Sequence, residues 1–305
     1  MSPLNFTLLL ATFIWSCLFD RRLLFIYLGI LIIYMLFTII PGRNALTSFR
    51  RKMQIATWND TGDPSLFVSH EIQISNLMEF VKNFNCNNPD SKISLTLLFA
   101  KIFGKVFEEN PKINGCLSFG EFLPQKDVNM LIAVDIEGKN LGFVVLEGCN
   151  HKSLKELSEE YRLKVKKLKK KECEKFNNQI KLVGWMPAFL MQLLTKVSSW
   201  ISYDLGISIP FLHIKKHNFG YGMITNIMPF EMNDVHAPLV PFLKAAYIIV
   251  MNASRKIPIV ENDQIVIREV MKLNYTVDHR FVDGSDVVGI KASFDRILNN
   301  LSELI

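Results

Sequence analysis

The feature that most constrains this chain is an uncharged apolar run near its start. Leu23 to Ile40 gives eighteen consecutive positions without a charged side chain, and a helix of about 20 apolar residues is enough to cross a bilayer. A shorter apolar stretch, Phe6 to Phe19, precedes it, so the segment is either a single span or a helical hairpin. Pro41 and Gly42 end the run. We therefore predict an N-terminal membrane anchor at residues 1–42.

A cleaved signal peptide fits this segment poorly. Little charge precedes the apolar region, and no small-residue cleavage site follows it. Basic residues stand directly after the run at Arg43, Arg50, Arg51 and Lys52, and positive charge beside a span favours the cytoplasmic side. Residues 43–305 have an ordinary globular composition, and we expect them on the cytoplasmic or another reducing side of a membrane.

The cysteines and histidines of the chain argue against a disulfide-stabilised or metal-binding protein. The five cysteines are odd in number and form no C-x-x-C pair, which disfavours a disulfide framework or a zinc site and fits a reducing compartment. His213 and His217 share i, i+4 spacing but lack the H-E-x-x-H pattern, so no metal is expected.

The basic run from Arg162 to Lys175 is either a solvated face or a surface that attracts anionic headgroups or a phosphorylated substrate. No nucleic-acid motif accompanies it, and nucleic acid is not an expected partner.

The globular part shows apolar patterns of both strand and helix period, which predicts an α/β domain whose elements do not strictly alternate. Predicted strands are Leu66–Ile74, Met130–Ile136, Gly142–Leu146, Tyr221–Ile227, Ala246–Asn252, Gln264–Ile267 and Glu269–Val277. One predicted helix begins after the N-cap Ser94. Two others span Ser153–Lys175 and about Ser285–Leu304.

The stretch from Tyr275 to Gly284 is the most informative for chemistry. An apolar strand pattern ends in Asp278 and His279, and Asp283 follows before a glycine and a helix. Histidine suits general-base catalysis because its unperturbed pKa is near neutrality. A neighbouring aspartate can hold an arginine or the loop in place. A histidine beside an aspartate is also often structural, and the other five histidines of the chain have no comparable setting.

This stretch, Asp278-His279-Arg280-Phe281-Val282-Asp283-Gly284, resembles the D-H-R-x-x-D-G signature of the catalytic domain of 2-oxoacid dehydrogenase dihydrolipoyl acyltransferases. The chloramphenicol acetyltransferases share its H-x-x-x-D-G core. Further stretches resemble the same family in order and spacing, including its N-P-x-x-N helix end and its T-I-S-N strand. They are Lys92–Asn114, Val128–Gly138, Gly222–Asn226, Lys256–Val260 and Gln264–Ile267. Together they cover about residues 45 to 305.

The resemblance implies a chloramphenicol acetyltransferase-like mixed sheet with flanking helices, and a homotrimer with active sites between subunits. It implies acyl-coenzyme A as co-substrate and no covalently bound cofactor. By matching positions, His279 is the general base that deprotonates a thiol or hydroxyl acceptor. Thr225 takes the place of the family's serine and donates a hydrogen bond to the oxyanion. Asp283 is expected to order the site, through a salt bridge with Arg50 or Arg51. The implied substrate-binding residues are Asn226, Gly284 and Arg280.

The sequence departs from the family in three ways. Lipoyl and subunit-binding domains are not found in it, and Ile227-Met228 replaces the glycine expected after Asn226. An apolar insertion occupies about residues 180–213. We expect this insertion to be a buried helical pair or a subunit contact, or alternatively a segment lying on the bilayer or a lining for a long acyl chain.

Two functions are compatible with these patterns. The first is a membrane-anchored acyltransferase that acts on an acceptor near the membrane, which includes lipids. The second is a non-catalytic trimeric scaffold subunit of a larger membrane complex that retains the fold. A scaffold requires neither the imidazole of His279 nor a hydroxyl at Thr225, and the sequence has both. The sequence therefore favours the enzyme.

Overall fold

The computed structural model describes most of the globular part and little of the N-terminus. The described residues are 25–26, 28–30, 32–34, 64–136, 140–184, 188–210 and 215–304. Most of the predicted anchor at 1–42, its boundary with the globular part, and the basic residues that follow it lie outside this set. Among the helices that are described, none has the length and apolar character needed to cross a bilayer.

Eight strands are described in the globular part. They are β1 (Ser65–Gln73), β2 (Gly115–Ser118), β3 (Glu121–Pro124), β4 (Met130–Ile136), β5 (Asn140–Leu146), β6 (Gly222–Asn226), β7 (Tyr247–Glu261) and β8 (Gln264–Asp278). Six of them form a mixed sheet in the order β1-β8-β7-β6-β4-β5. β6 runs parallel to β4 and β7, and the other neighbours are antiparallel. β2 and β3 form a separate hairpin. The predicted α/β class with a mixed sheet is confirmed.

Five α-helices are described in the globular part. They are α1 (Ser75–Asn87), α2 (Leu95–Glu109), α3 (Leu154–Gly184), α4 (Ala188–Ser199) and α5 (Gly284–Asn299). All but α4 contribute to the core on one face of this sheet, whereas α4 packs against the short helix Pro241–Leu243. The predicted cap of α2 is present, because the Ser94 hydroxyl accepts a hydrogen bond from the Leu97 N–H at 3.3 Å. Phe103 of α2 stacks on Phe294 of α5 with ring centroids 5.1 Å apart. The aromatic contact joins the two helices over the strands that lead to the candidate site.

The opposite face of the sheet carries a second, smaller apolar cluster. Leu131, Met223, Ile248 and Val250 form it, together with residues from the loop that precedes β7. Thr225 lies two positions after Met223 on β6, and alternate residues of a strand share one face. Its side chain therefore belongs to the face that the loop covers only in part, and Thr225 is half-buried.

The sequence prediction was wrong at two places in this fold. β7 and β8 form one long hairpin, and its end joins Lys256–Val260 to Gln264–Ile267, the two stretches that resemble the family's closing hairpin, so that prediction is confirmed. The strand bounds were wrong, because the apolar pattern predicted a short strand at Ala246–Asn252 and two separate strands at Gln264–Ile267 and Glu269–Val277. The far end of the hairpin projects beyond the core, so charged and exposed residues interrupt its apolar alternation. Helix α1 and the β2–β3 hairpin were not predicted. Only Leu77 and Phe84 of α1 are buried, which leaves a weak helical pattern.

Gly222 at the start of β6 lies directly beneath an aromatic ring. A Cβ atom at this position would stand 1.9 and 2.0 Å from two ring atoms of Tyr247 on the neighbouring strand. Tyr247 is 1% exposed and packs against Phe107 with ring centroids 4.2 Å apart, so its ring has little room to move. Only glycine fits beneath the ring in this arrangement.

Replacing Gly222 with alanine should destabilise the protein, because the added methyl group overlaps a ring that packing holds in place. We expect Gly222→Ala to lower the free energy of unfolding by about 1–3 kcal/mol in urea denaturation. Gly284→Ala is the matched control, since a Cβ atom there meets no atom within 4 Å, and its change should stay within about 0.5 kcal/mol. Equal stability of the two variants would contradict the packing argument.

Candidate active site

His279 stands where β8 leaves the sheet. Its backbone N–H donates a hydrogen bond to the Pro64 carbonyl at 2.8 Å, and the Asp278 N–H donates to the Ala246 carbonyl at 2.9 Å. Phe281 and Val282 then donate their N–H groups to the Asp278 carbonyl at 2.9 and 3.3 Å, which closes a tight turn. The turn fixes the backbone of His279 between the sheet and helix α5.

The imidazole of His279 is oriented by this turn. Its Nδ1 lies 2.7 Å from the Val282 carbonyl oxygen. Because a carbonyl oxygen can only accept, Nδ1 must carry the proton, and Nε2 of the neutral ring holds the lone pair. Val282 is fully buried and Phe281 packs edge-on against Phe122, with ring centroids 5.3 Å apart. The carbonyl that fixes the tautomer is therefore itself held by the core.

Arg280 is bound to Asp278 on the other side of the turn. Its Nε lies 3.0 and 3.1 Å from the two carboxylate oxygens, and its Nη2 lies 2.7 Å from one of them. Asp278 also accepts the backbone N–H of Arg280 at 2.9 Å. The expectation that an aspartate beside the histidine holds an arginine is confirmed for this pair. Asp278 is 4% exposed, so this charge-assisted pair is largely shielded from solvent and stabilises the turn.

Asp283 begins helix α5 as its N-cap. Its carboxylate accepts hydrogen bonds from the backbone N–H groups of Ser285 at 3.0 Å and Asp286 at 3.3 Å. The Asp286 side chain accepts the Asp283 N–H at 3.1 Å in return, which completes a capping box. Arg50 and Arg51, the expected salt-bridge partners, lie outside the described residues. The described contacts show that Asp283 caps the start of α5 directly after the turn that holds His279.

Thr225 and His279 lie far apart within one chain. Thr225 pairs with Val250, and Val277 pairs with Tyr247, which places His279 two strands away and about five residues further along the sheet. At about 3.3 Å per residue and about 4.8 Å per strand, their Cα atoms are separated by about 19 Å. Two side chains cannot bridge this distance, so a single chain does not bring the two residues together.

The predicted substrate-binding residues occupy different settings. The Asn226 amide donates to the Thr96 hydroxyl at 3.1 Å and accepts the Met228 N–H at 2.9 Å, which fastens β6 to the first turn of α2. Gly284 is exposed at the first position of α5. The guanidinium of Arg280 is committed to Asp278. These contacts give Asn226 and Arg280 structural roles, and their contact with substrate stays a prediction.

The sequence pattern gives no indication of the backbone carbonyls of Pro64 and Val282 or of the ring of Phe122. All three act on His279 through main-chain bonding or packing. A carbonyl oxygen is common to every residue, so no side-chain pattern marks its role. The apolar Phe281 and Val282 within the charged motif were the one signal that the turn is anchored in a core.

The two buried cysteines, Cys116 and Cys149, are not suited to nucleophilic catalysis. Cys86, Cys116 and Cys149 are free thiols, and burial raises the pKa of Cys116 and Cys149 to about 12, so both stay protonated at neutral pH. His217 lies 3.7 Å from the Cys116 sulfur and 2.7 Å from the Tyr221 hydroxyl, and burial lowers its pKa to about 4. The described residues contain no group of His, Cys, Asp and Glu arranged to hold a metal ion.

Solved structures share this arrangement of strands and helices. The cubic core of the pyruvate dehydrogenase multienzyme complex matches with a TM-score of 0.59 and 16% identity, covering 86% of this chain and 93% of that one. Dihydrolipoamide acetyltransferase from Azotobacter vinelandii matches with a TM-score of 0.58, 17% identity and the same coverage. The probable dihydrolipoamide acetyltransferase of Listeria monocytogenes has a TM-score of 0.53 at 17% identity, covering 84% and 95%. The fold is that of dihydrolipoamide acetyltransferase cores.

Sequence comparison gives the family. The model of the 2-oxoacid dehydrogenases acyltransferase catalytic domain matches residues 42–178 and 215–305, and the chain belongs to this family. The dihydrolipoyllysine-residue acetyltransferase component of the pyruvate dehydrogenase complex of Rickettsia prowazekii is 24% identical over 242 residues, which is 78% of this chain and 48% of the relative. Its counterpart from Rickettsia typhi is equally similar. The chain thus spans about half the length of the curated relatives it matches.

Removal of the Asp283 carboxylate should destabilise the first turn of α5. We expect Asp283→Ala to lower the free energy of unfolding by about 1 kcal/mol, because two backbone N–H groups lose their acceptor. Asp283→Asn is the matched variant, since asparagine is an equally good N-cap, and it should retain most of the stability. Chemical denaturation of the three proteins measures the difference, and a loss of equal size in both variants would rule out capping as the cause.

Proposed function

We propose that this chain is a membrane-anchored acyltransferase that moves an acyl group from acyl-coenzyme A to a thiol or hydroxyl acceptor. His279 is the general base and Thr225 the oxyanion donor. The observation that carries the proposal is the hydrogen bond between His279 Nδ1 and the Val282 carbonyl. A base needs its lone pair on a defined nitrogen, and this bond supplies that condition before substrate arrives.

The reaction follows from this tautomer. Nε2 of His279 accepts the proton of the acceptor, whose sulfur or oxygen then attacks the thioester carbonyl carbon. The tetrahedral oxyanion accepts a hydrogen bond from the Thr225 hydroxyl. Collapse of the intermediate breaks the carbon–sulfur bond, and the departing coenzyme A thiolate takes the proton back from the imidazole. No acyl-enzyme and no covalently bound cofactor is needed, because the acceptor attacks the thioester directly.

The distance between the two residues supports a site built by two copies of the chain. Since about 19 Å separates them within one chain, the threonine beside a given imidazole comes from a neighbour. Thr225 is half-buried on the sheet face opposite α2 and α5, where the loop before β7 gives only partial cover and a second copy has access. A homo-oligomer fits the structural relatives, one of which is a cubic core. We propose a homotrimer with three such sites.

A structural relative supports the choice of residues. The Azotobacter vinelandii enzyme was studied for the role of a serine, a histidine and an asparagine in its catalytic mechanism, and its histidine and asparagine stand four residues apart. His279 and Asp283 have the same spacing. In this chain threonine takes the place of that serine and aspartate the place of that asparagine. A hydroxyl is retained at the first position, and a hydrogen-bonding cap at the second.

The non-catalytic scaffold is less well supported. A scaffold has no use for an imidazole of fixed tautomer beside an arginine–aspartate pair at a strand end. The apolar run that begins at Leu23 supports membrane anchoring. The described side chains of this run at Phe25, Ile26, Leu28 and Ile30 are 44–73% exposed, which is expected of an anchor whose cover is lipid. We place the catalytic domain on the cytoplasmic or another reducing side.

Loss of the imidazole should abolish most of the activity. We expect His279→Ala to lower thiol release from acyl-coenzyme A by about 10²–10⁴-fold with any acceptor that the parent uses. His151→Ala is the matched control, because His151 is exposed and distant in sequence from the turn, and it should react like the parent. Unchanged release by a folded His279→Ala protein would refute the proposed base.

Thr225 should act on the transition state more than on binding. Thr225→Val keeps the shape of the side chain but removes the hydroxyl, and we expect kcat to fall by about 10²–10³-fold with little change in KM. Thr225→Ser restores the donor and should retain most of the parent's kcat. Steady-state kinetics with acyl-coenzyme A measures both constants. A valine variant with parental kcat would remove Thr225 from the mechanism.

A further inference from the structure

The insertion that the family lacks presents an apolar face to solvent. Residues 179–214 are unmatched by the family's sequence model, and helix α4 lies within them. Leu193, Leu194, Val197 and Trp200 are 55, 48, 43 and 39% exposed. Their spacing of i, i+1, i+4 and i+7 places them on one side of the helix, and we call them the insertion face. Four large apolar side chains exposed together indicate a surface that contacts something else.

A groove with basic residues borders the insertion face. It has a volume of about 360 Å³ and lies between the end of α4 and the short helix Pro241–Leu243. Lys196 and Lys244 line it beside the rings of Trp200 and Phe242. Asp204 also lines the groove and pairs with Lys244, so these two charges offset each other. Lys196 has no carboxylate within reach among the described residues, and it leaves the groove one uncompensated positive charge beside apolar rings. The groove therefore suits a single anionic group attached to an apolar body.

The groove also holds an unpaired hydroxyl. Ser199 lines it and is 8% exposed, and its Oγ has no hydrogen-bond partner among the described residues. A buried hydroxyl without a partner costs free energy, so it requires an explanation. An anionic oxygen bound by Lys196 in this groove would provide the missing acceptor.

The N-terminal apolar run adjoins the insertion. The Tyr34 hydroxyl donates a hydrogen bond to the Leu205 carbonyl, immediately after the π-helix Trp200–Asp204 that follows α4. Tyr34 belongs to the uncharged run from Leu23 to Ile40. Leu205 is in turn bonded to the insertion face, because its N–H donates to the Trp200 carbonyl at 3.0 Å. This part of the apolar run therefore lies near Trp200, and whatever surrounds the run lies near the insertion face.

We infer that the insertion face is a second membrane-contact surface, which lies on a bilayer containing anionic lipids and binds a lipid headgroup in the neighbouring groove. The inference rests on the proposed membrane anchor, because contact with the run is what makes lipid the occupant. An amphipathic helix buries such a face at the boundary between headgroups and acyl chains. Lys196, which has no carboxylate partner among the described residues, adds attraction for anionic headgroups. The two contacts together orient the catalytic domain on the membrane.

Fluorescence quenching of Trp200 tests this surface in the full chain. The chain is reconstituted into phosphatidylcholine–phosphatidylserine vesicles whose acyl chains carry bromine, which quenches tryptophan on contact. Because the chain has four tryptophans, the Trp200 signal is the difference between the parent and Trp200→Phe. We expect brominated lipid to quench a clearly larger fraction of the fluorescence of the parent than of the Trp200→Phe variant. This difference should be smaller in vesicles of phosphatidylcholine alone.

Two variants separate the insertion face from general exposure. Leu194→Ser with Val197→Ser should reduce the Trp200 quenching, whereas Leu163→Ser, an exposed leucine on α3, should leave it unchanged. Equal quenching in neutral and anionic vesicles would overturn headgroup binding. A chain that resists alkaline extraction while Trp200 stays unquenched would overturn the surface and leave the anchor standing.

Loss of the chain from vesicles on alkaline extraction would overturn both the anchor and the surface. Without vesicles, protection of Trp200 from acrylamide that rises with protein concentration would assign the insertion face to a second copy, against this inference. Thiol release from acyl-coenzyme A in detergent tests the proposed acyltransferase activity separately. That reaction requires neither the membrane anchor nor the insertion face to contact lipid.

Discussion

The hydrogen bond from His279 to the Val282 carbonyl is the interaction on which the candidate site depends. It exists because β8 ends in a turn closed on Asp278 and because Asp283 starts α5 directly afterwards. Phe281 and Val282 tie the same turn to the core. A strand end, a buried pair of apolar side chains and a capped helix together fix one proton on one nitrogen. The chemistry proposed for this chain follows from that placement.

The sequence predicted the parts of the site that depend on residue type. The histidine, the arginine–aspartate pair and the aspartate before α5 all stand in one turn, as their spacing indicated. It did not predict that main-chain carbonyls orient the ring, because every residue carries the same acceptor. Nor could it place Thr225 relative to His279. That distance depends on the pairing register of β6, β7 and β8, which the sequence pattern does not give.

Strands with a buried face were predictable, and exposed structure was not. β4, β5 and β6 lie within one or two residues of their predicted bounds because core packing imposes apolar runs on them. The long β7–β8 hairpin leaves the core after a register shift between Met251 and Ser254, and its apolar pattern weakens there. Helix α1 is similarly inconspicuous, since only two of its residues are buried. Burial of one face, rather than the intrinsic secondary-structure preference of the residues, made an element predictable from the sequence.

The wide separation of Thr225 and His279 has a genetic consequence in the proposed assembly. One chain supplies an imidazole to one interface and a hydroxyl to another, so the two residues are inherited together but used with different neighbours. A subunit altered at either position disables only one of the two interfaces it joins. Mixed trimers of two inactive alleles, one altered at each position, would each regain one complete site. Such alleles would complement each other in a cell that carries both.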